Sequence, residues 1–142
     1  MDYWTTGPLG HWRFLFCSFF LFKRKKESKI FFMSELILYQ KSYDFLVWVF
    51  NKTDGFPKSK RFSIGQRLET VLLDYITLVY KFKYSRKTYK SGLAISAKFD
   101  EVKLLIKICY DTKLISKNSF AYAMNSSDEI GAMIGGIIKA FK

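Results

Sequence analysis

Histidine is nearly missing from this sequence: His11 is the only one in 142 residues. A histidine base, a Ser-His or Cys-His pair, or a His-containing zinc site therefore has nothing to work with in the rest of the chain. Cysteine is scarce as well. Cys17 and Cys109 cannot build a disulfide framework, and neither belongs to a C-x-x-C or Cys/His cluster, which fits a reducing cytoplasm. Long apolar runs are lacking too. The aromatic-rich run Phe14 to Phe22 falls short of the ~20 residues that span a bilayer, so no stable membrane insertion is expected. There is no G-x-x-x-x-G-K-[ST] phosphate loop, which argues against nucleotide hydrolysis. Acids are few, with 12 Asp and Glu against 24 Lys and Arg for a net charge of +12. Such an excess favours anionic partners, nucleic acid first among them. These absences together point to a binding protein with no catalytic apparatus and no cofactor.

What is present falls into two parts. Residues 1–32 hold the Phe14 to Phe22 run, then the basic cluster Lys23, Arg24, Lys25 and Lys26, then Phe31 and Phe32. No amphipathic period organises this stretch. Its charges follow the apolar run rather than precede it, the reverse of a signal peptide. It reads as an unstructured or spurious leader, with translation starting at Met33. The functional alternative is a tail for a membrane surface or nucleic acid. Residues 33–142 keep 18 basic against 10 acidic residues, an excess of +8, so the basic character survives removal of the leader.

Those residues predict an all-α fold with helices over about 34–52, 63–83, 91–113 and 117–141. In the first, Leu36, Tyr39, Tyr43, Leu46 and Phe50 recur at helical spacing, with Ser34 as cap and Glu35 in the first turn. Leu38, Phe45 and Trp48 lie off that stripe, as a widening of the core face or as a surface covered by another subunit. Thr53-Asp54-Gly55-Phe56-Pro57 breaks the helix. Ser63 and Gln66 form a capping box for the second, whose core line is Ile64, Leu68, Val71, Tyr75, Leu78 and Phe82. After a basic connector, Ser91 caps a third helix with Ile95, Phe99, Val102, Ile106 and Cys109 inward and Asp100, Lys103, Lys107 and Asp111 outward. Ser116 opens the last, with Phe120, Met124, Ser127, Ile130, Ile134, Ile137 and Phe141 on one face. Gly131, Gly135 and Gly136 inside it cost roughly 1 kcal/mol each relative to alanine, a cost that close packing within the bundle or against another subunit would offset. Short connections favour an antiparallel up-down-up-down four-helix bundle.

Bundles often hold di-iron sites, but those need Glu-x-x-His pairs, and no histidine follows His11. The neighbouring acids Asp100-Glu101 and Asp128-Glu129 point about 100° apart on a helix and cannot face each other. What remains is basic surface. Lys58, Lys60 and Arg61 crowd the first connection, with Arg67 just beyond. Lys81, Lys83, Arg86, Lys87 and Lys90 fill the second, and Lys98, Lys103 and Lys107 offer a track between the two ends. Backbone-directed, sequence-tolerant nucleic-acid binding is the function this charge suggests.

The segments Tyr43-Asp44-Phe45-Leu46-Val47-Trp48, Phe56-Pro57-Lys58-Ser59-Lys60-Arg61-Phe62-Ser63-Ile64-Gly65-Gln66-Arg67-Leu68-Glu69 and Asp128-Glu129-Ile130-Gly131-Ala132-Met133-Ile134-Gly135-Gly136 resemble the accessory variability determinant (Avd) proteins of diversity-generating retroelements. The resemblance covers nearly all of residues 33–142, and F-P-K-S-x-R-F leading into G-Q-R is its specific part. It implies a homopentameric barrel of four-helix bundles that binds the element's reverse transcriptase and template RNA, with RNA-cDNA hybrid a further ligand, in support of mutagenic cDNA synthesis. Lys58, Lys60, Arg61 and Arg67 match the family's basic segment. Ile137 stands where the family usually has tryptophan. Two alternatives are the similar bundle proteins encoded in ribosomal RNA intervening sequences and a purely structural oligomer.

Overall fold

The computed structural model describes the backbone of residues 8–142 and side chains from residue 29 onward. The readings of His11, Cys17 and the basic cluster at residues 23–26 fall outside the described side chains. Residues 1–34 and 35–142 form separate units. Every regular element among the described residues is helical: α1 (Pro8–Thr53), the short α2 (Lys58–Lys60), a π-helical turn (Arg61–Gly65), α3 (Gln66–Tyr84), α4 (Tyr89–Asp111) and α5 (Lys117–Ala140).

In the second unit α1, α3, α4 and α5 make the four-helix bundle. Lys41 of α1 meets Glu129 of α5 at 2.8 Å, and Trp48 packs on Tyr122 with ring centroids 4.8 Å apart. On its other side α1 meets α3 through Ser42 and Tyr75, whose hydroxyls lie 2.8 Å apart. The rings of Tyr75 and Phe99 join α3 to α4 at 4.9 Å, and those of Tyr110 and Phe120 join α4 to α5 at 4.3 Å. Phe45 and Phe99, 6.3 Å apart, cross the interior between α1 and α4. Each helix thus neighbours the next in sequence, α1 and α5 close the ring, and the path is up-down-up-down.

The core face of α1 differs from the sequence expectation. Its buried line is Glu35, Leu38, Ser42, Phe45, Val49 and Thr53, whereas Leu36 and Tyr43 are about half exposed. Two lines of helical period run along this helix, and the buried one carries three polar residues that a hydrophobicity pattern discounts. Each of the three has a partner inside: Glu35 meets Lys87 at 2.6 Å, Ser42 meets Tyr75, and the Thr53 hydroxyl donates to Glu69. Leu38 and Phe45, read as off-stripe, are core residues at 2% exposure. Elsewhere the inward lines agree in part, since Ile64, Leu78, Phe120, Met124 and Phe141, also expected inward, are only half-buried. Ile95, Phe99, Val102, Ile106 and Cys109 are all buried, as are Leu68, Val71, Tyr75, Phe82, Ser127, Ile130, Ile134 and Ile137. Burial also pushes the Cys109 thiol up to about 11, so it packs as a small hydrophobe rather than a thiolate.

Three helix starts also differ. Ser34 lies within α1 and returns its hydroxyl to the Ile30 carbonyl at 3.0 Å, a back-bond that replaces the expected cap. Helical structure after the first break begins at Lys58 behind Pro57, so Ser63 sits inside the π turn and donates to Ser59 and Lys60 carbonyls instead of capping. The α4 cap is Thr88, with Ser91 as its reciprocal partner three residues on. Ser116 does cap α5, accepting from the Ser119 amide at 3.2 Å.

The glycines separate in role. A Cβ on Gly92 would come within 2.9 Å of Ile138, so this glycine is what lets α4 approach α5. Cβ atoms on Gly131, Gly135 and Gly136 would meet nothing within 4 Å among the described residues. Close packing within the same bundle, one of the two readings of those glycines, is therefore overturned.

The buried Ser42–Tyr75 pair supports a thermodynamic prediction. Tyr75→Phe or Ser42→Ala alone should destabilise the fold by about 1–3 kcal/mol, because each strands a buried hydroxyl. The double variant should recover most of that loss. Chemical denaturation of the three proteins measures the coupling, and strict additivity would contradict it.

Candidate nucleic-acid interface

The antiparallel path puts the two basic connections at opposite poles. At the first, Phe56 is buried and Pro57 starts the helical turn that holds Lys58 and Lys60 outward. Gly65 leaves room for the Phe56 ring, which an added Cβ would touch at 3.4 Å. The π turn widens the helix over Arg61–Gly65 and leaves Phe62 68% exposed. Phe56, Lys58, Arg61 and Phe62 line an open groove of about 460 Å³. Arg61 is engaged by Asp54 at 2.6 Å. Lys58 and Lys60 have no ion pair among the described residues.

Along the side, the expected basic track is compensated by acids. Arg67 and Lys98 converge on Glu101 at 2.8 and 2.9 Å. Hydrogen bonding from Lys98 first, and from Arg67 next, holds that carboxyl below its usual range. Lys103 pairs with Asp100 at 2.6 Å and Lys107 with Asp111 at 3.1 Å. Such exposed pairs contribute about 0–1 kcal/mol to stability, but they lower the net field along α4.

The second pole is different in kind. Residues 75–99 contain no Asp or Glu, and neither do residues 130–142. The fold brings these two acid-free stretches together: Phe82 packs edge-on against Phe141 at 6.0 Å, and Gly92 seats on Ile138. Lys81, Lys83, Arg86, Lys87, Lys90, Lys139 and Lys142 therefore gather at one end. Lys81, Arg86, Lys90, Lys139 and Lys142 are exposed. Among the described residues Glu35 is the carboxylate beside them, buried and engaged by Lys87 through both oxygens at 2.6 and 2.7 Å. Lys139 and Lys142 were missing from the sequence-derived site. The signal that finds them is the length of the acid-free runs, not local charge density.

This pole also carries aromatic surface. Tyr80 and Tyr84 are 52% and 67% exposed, with ring centroids 5.1 Å apart, and Lys83 lies over the Tyr84 ring at 5.4 Å. Among the described residues no group of His, Cys, Asp and Glu could hold a metal ion. No described helix is long and apolar enough to cross a membrane.

The model of the bAvd-like family matches residues 36–141, and the chain belongs to that family, whose members act as accessory rather than catalytic proteins. No curated protein and no solved structure matches it.

Proposed function

We propose that this protein is the accessory subunit of a diversity-generating retroelement, binding the element's reverse transcriptase and its template RNA in the cytoplasm to support mutagenic cDNA synthesis. Family membership supports the association with the element. The observation that carries the RNA part is the acid-free pole, where two stretches remote in sequence pool their lysines and arginine. The first connection, with Lys58, Lys60, Arg61 and Arg67, is the surface proposed for the polymerase. An exposed phenylalanine beside partly paired basic residues suits a protein groove better than a phosphate backbone.

The protein works as a homo-oligomer, a pentamer in this reading. The unfilled space beside Gly131, Gly135 and Gly136 supports this, since a helix from another copy could approach there.

The test is a salt titration of RNA binding together with capture of the polymerase. The logarithm of the RNA affinity should fall linearly with the logarithm of salt concentration, with a slope corresponding to several phosphate contacts. The purified polymerase should be retained by the wild-type protein and lost on charge reversal of Lys58, Lys60 and Arg61. Salt-independent RNA binding, or polymerase capture indifferent to those three residues, would overturn the respective half of the proposal.

A further inference from the structure

Leu36 and Tyr43, expected in the core, are instead about half exposed, with Tyr39 half-buried between them, and the line meets α3 in a run of tyrosines. Tyr43 stacks on Tyr39 with centroids 6.4 Å apart and planes within 25°. Tyr39 lies 6.3 Å from Tyr80, and Tyr80 lies 5.1 Å from Tyr84. Four rings thus step across the α1–α3 groove in a continuous series. The series ends in the acid-free pole, where Lys81 and Lys83 flank Tyr80 and Tyr84 and Arg86 follows. Beneath the middle of the run is a mostly apolar cavity of about 130 Å³, lined in part by Leu38, Tyr39, Val79 and Tyr80.

We infer that this tyrosine run is a stacking platform for the unpaired bases of a single-stranded RNA, whose phosphates are held by Lys81, Lys83, Arg86 and Lys90. The inference rests on the RNA-binding reading above and narrows it to single strands. Three observations favour this occupant. Exposed tyrosines offer π faces that every base can use, and the basic flank runs alongside them, which is the combination that single-strand binders employ. In a duplex the base faces are stacked on one another and out of reach. A second copy docked through this patch about a two-fold axis would bring Lys81, Lys83 and Arg86 against their own equivalents, a like-charge contact that opposes a dimer there, whereas the contacts of the proposed pentameric ring pair unlike surfaces.

The experiment measures affinities by fluorescence anisotropy for an oligo(U) strand of about 20 nucleotides and for an RNA duplex of the same length, with the full chain. The wild-type protein should prefer the single strand by at least about tenfold. Tyr80→Leu with Tyr84→Leu should weaken single-strand binding by about tenfold or more while leaving duplex binding and the salt slope nearly unchanged. Tyr80→Phe with Tyr84→Phe should restore it, since the ring and not the hydroxyl does the stacking. Helicity and light scattering on each variant report folding and assembly. Equal affinity for both RNAs, or leucine variants as tight as wild type, would overturn the platform while leaving charge-driven RNA binding in place. Loss of assembly in the leucine variants with unchanged RNA affinity would assign the tyrosines to a protein contact and overturn it as well. Absence of salt-sensitive binding to either RNA would remove the underlying reading itself.

Discussion

Charge reversal at the acid-free pole, as Lys81→Glu, Arg86→Glu and Lys90→Glu together, is expected to reduce RNA affinity on the order of a hundredfold or more at physiological salt. Each reversal removes a phosphate contact, with its share of released counterions, and adds a repulsive charge. No carboxylate partners these three residues among the described side chains, so the change falls on the ligand and not on internal pairing. The control, which changes half as much charge, is Lys98→Gln, Lys103→Gln and Lys107→Gln. Those side chains already face Glu101, Asp100 and Asp111, and their neutralisation should cost RNA affinity only a few fold. Circular dichroism should show both proteins as helical as the wild type. Comparable losses from the two triples, although the second changes half as much charge, would place the binding surface along α4 and not at the acid-free pole.

Phe99→Ala is expected to be the most damaging single change to the fold, lowering stability by about 3–5 kcal/mol. Phe99 is 1% exposed and touches the rings of Phe45 and Tyr75 at 6.3 and 4.9 Å, so it is where α1, α3 and α4 meet. Truncation leaves a cavity among large rings that cannot collapse without moving three helices. Thermal denaturation should shift downward by roughly 10 °C or more. Leu104→Ala on the same helix, with its side chain 58% exposed, should lie within about 0.5 kcal/mol of wild type. A small effect at Phe99 would contradict the assignment of this cluster as the centre of the core.

How far such a cluster could be read from the sequence depended on what shared its face. In α4 the inward residues are all apolar or cysteine, and the period alone found every one of Ile95, Phe99, Val102, Ile106 and Cys109. In α1 the period was present twice. The line richer in large apolar residues is the less buried one, because Glu35, Ser42 and Thr53 reach partners on α3 and in the connector after it that no local pattern reveals. The second helical segment was misplaced at its start for a related reason. Ser63 and Gln66 have the spacing of a capping box, but Pro57, with its fixed φ, starts the helical turn earlier and leaves Ser63 inside it. The candidate site was legible as composition and illegible as placement. Lysines near the two connections were evident, and Lys103 and Lys107 stand at helical pairing distance from Asp100 and Asp111 in the sequence, yet only the fold shows that the end of α5 joins one of the connections and that Arg67 also converges on Glu101.

The one-ended distribution of acids has a kinetic consequence. Both poles of the bundle are basic, but the one formed by the two acid-free stretches carries the larger excess, and in the field of a polyanion that end is drawn in more strongly than the other. Arrival is then oriented before contact, pole first, and the arrival rate should depend on ionic strength far more than the residence time does. The short-range packing at the groove would govern how long the partner stays.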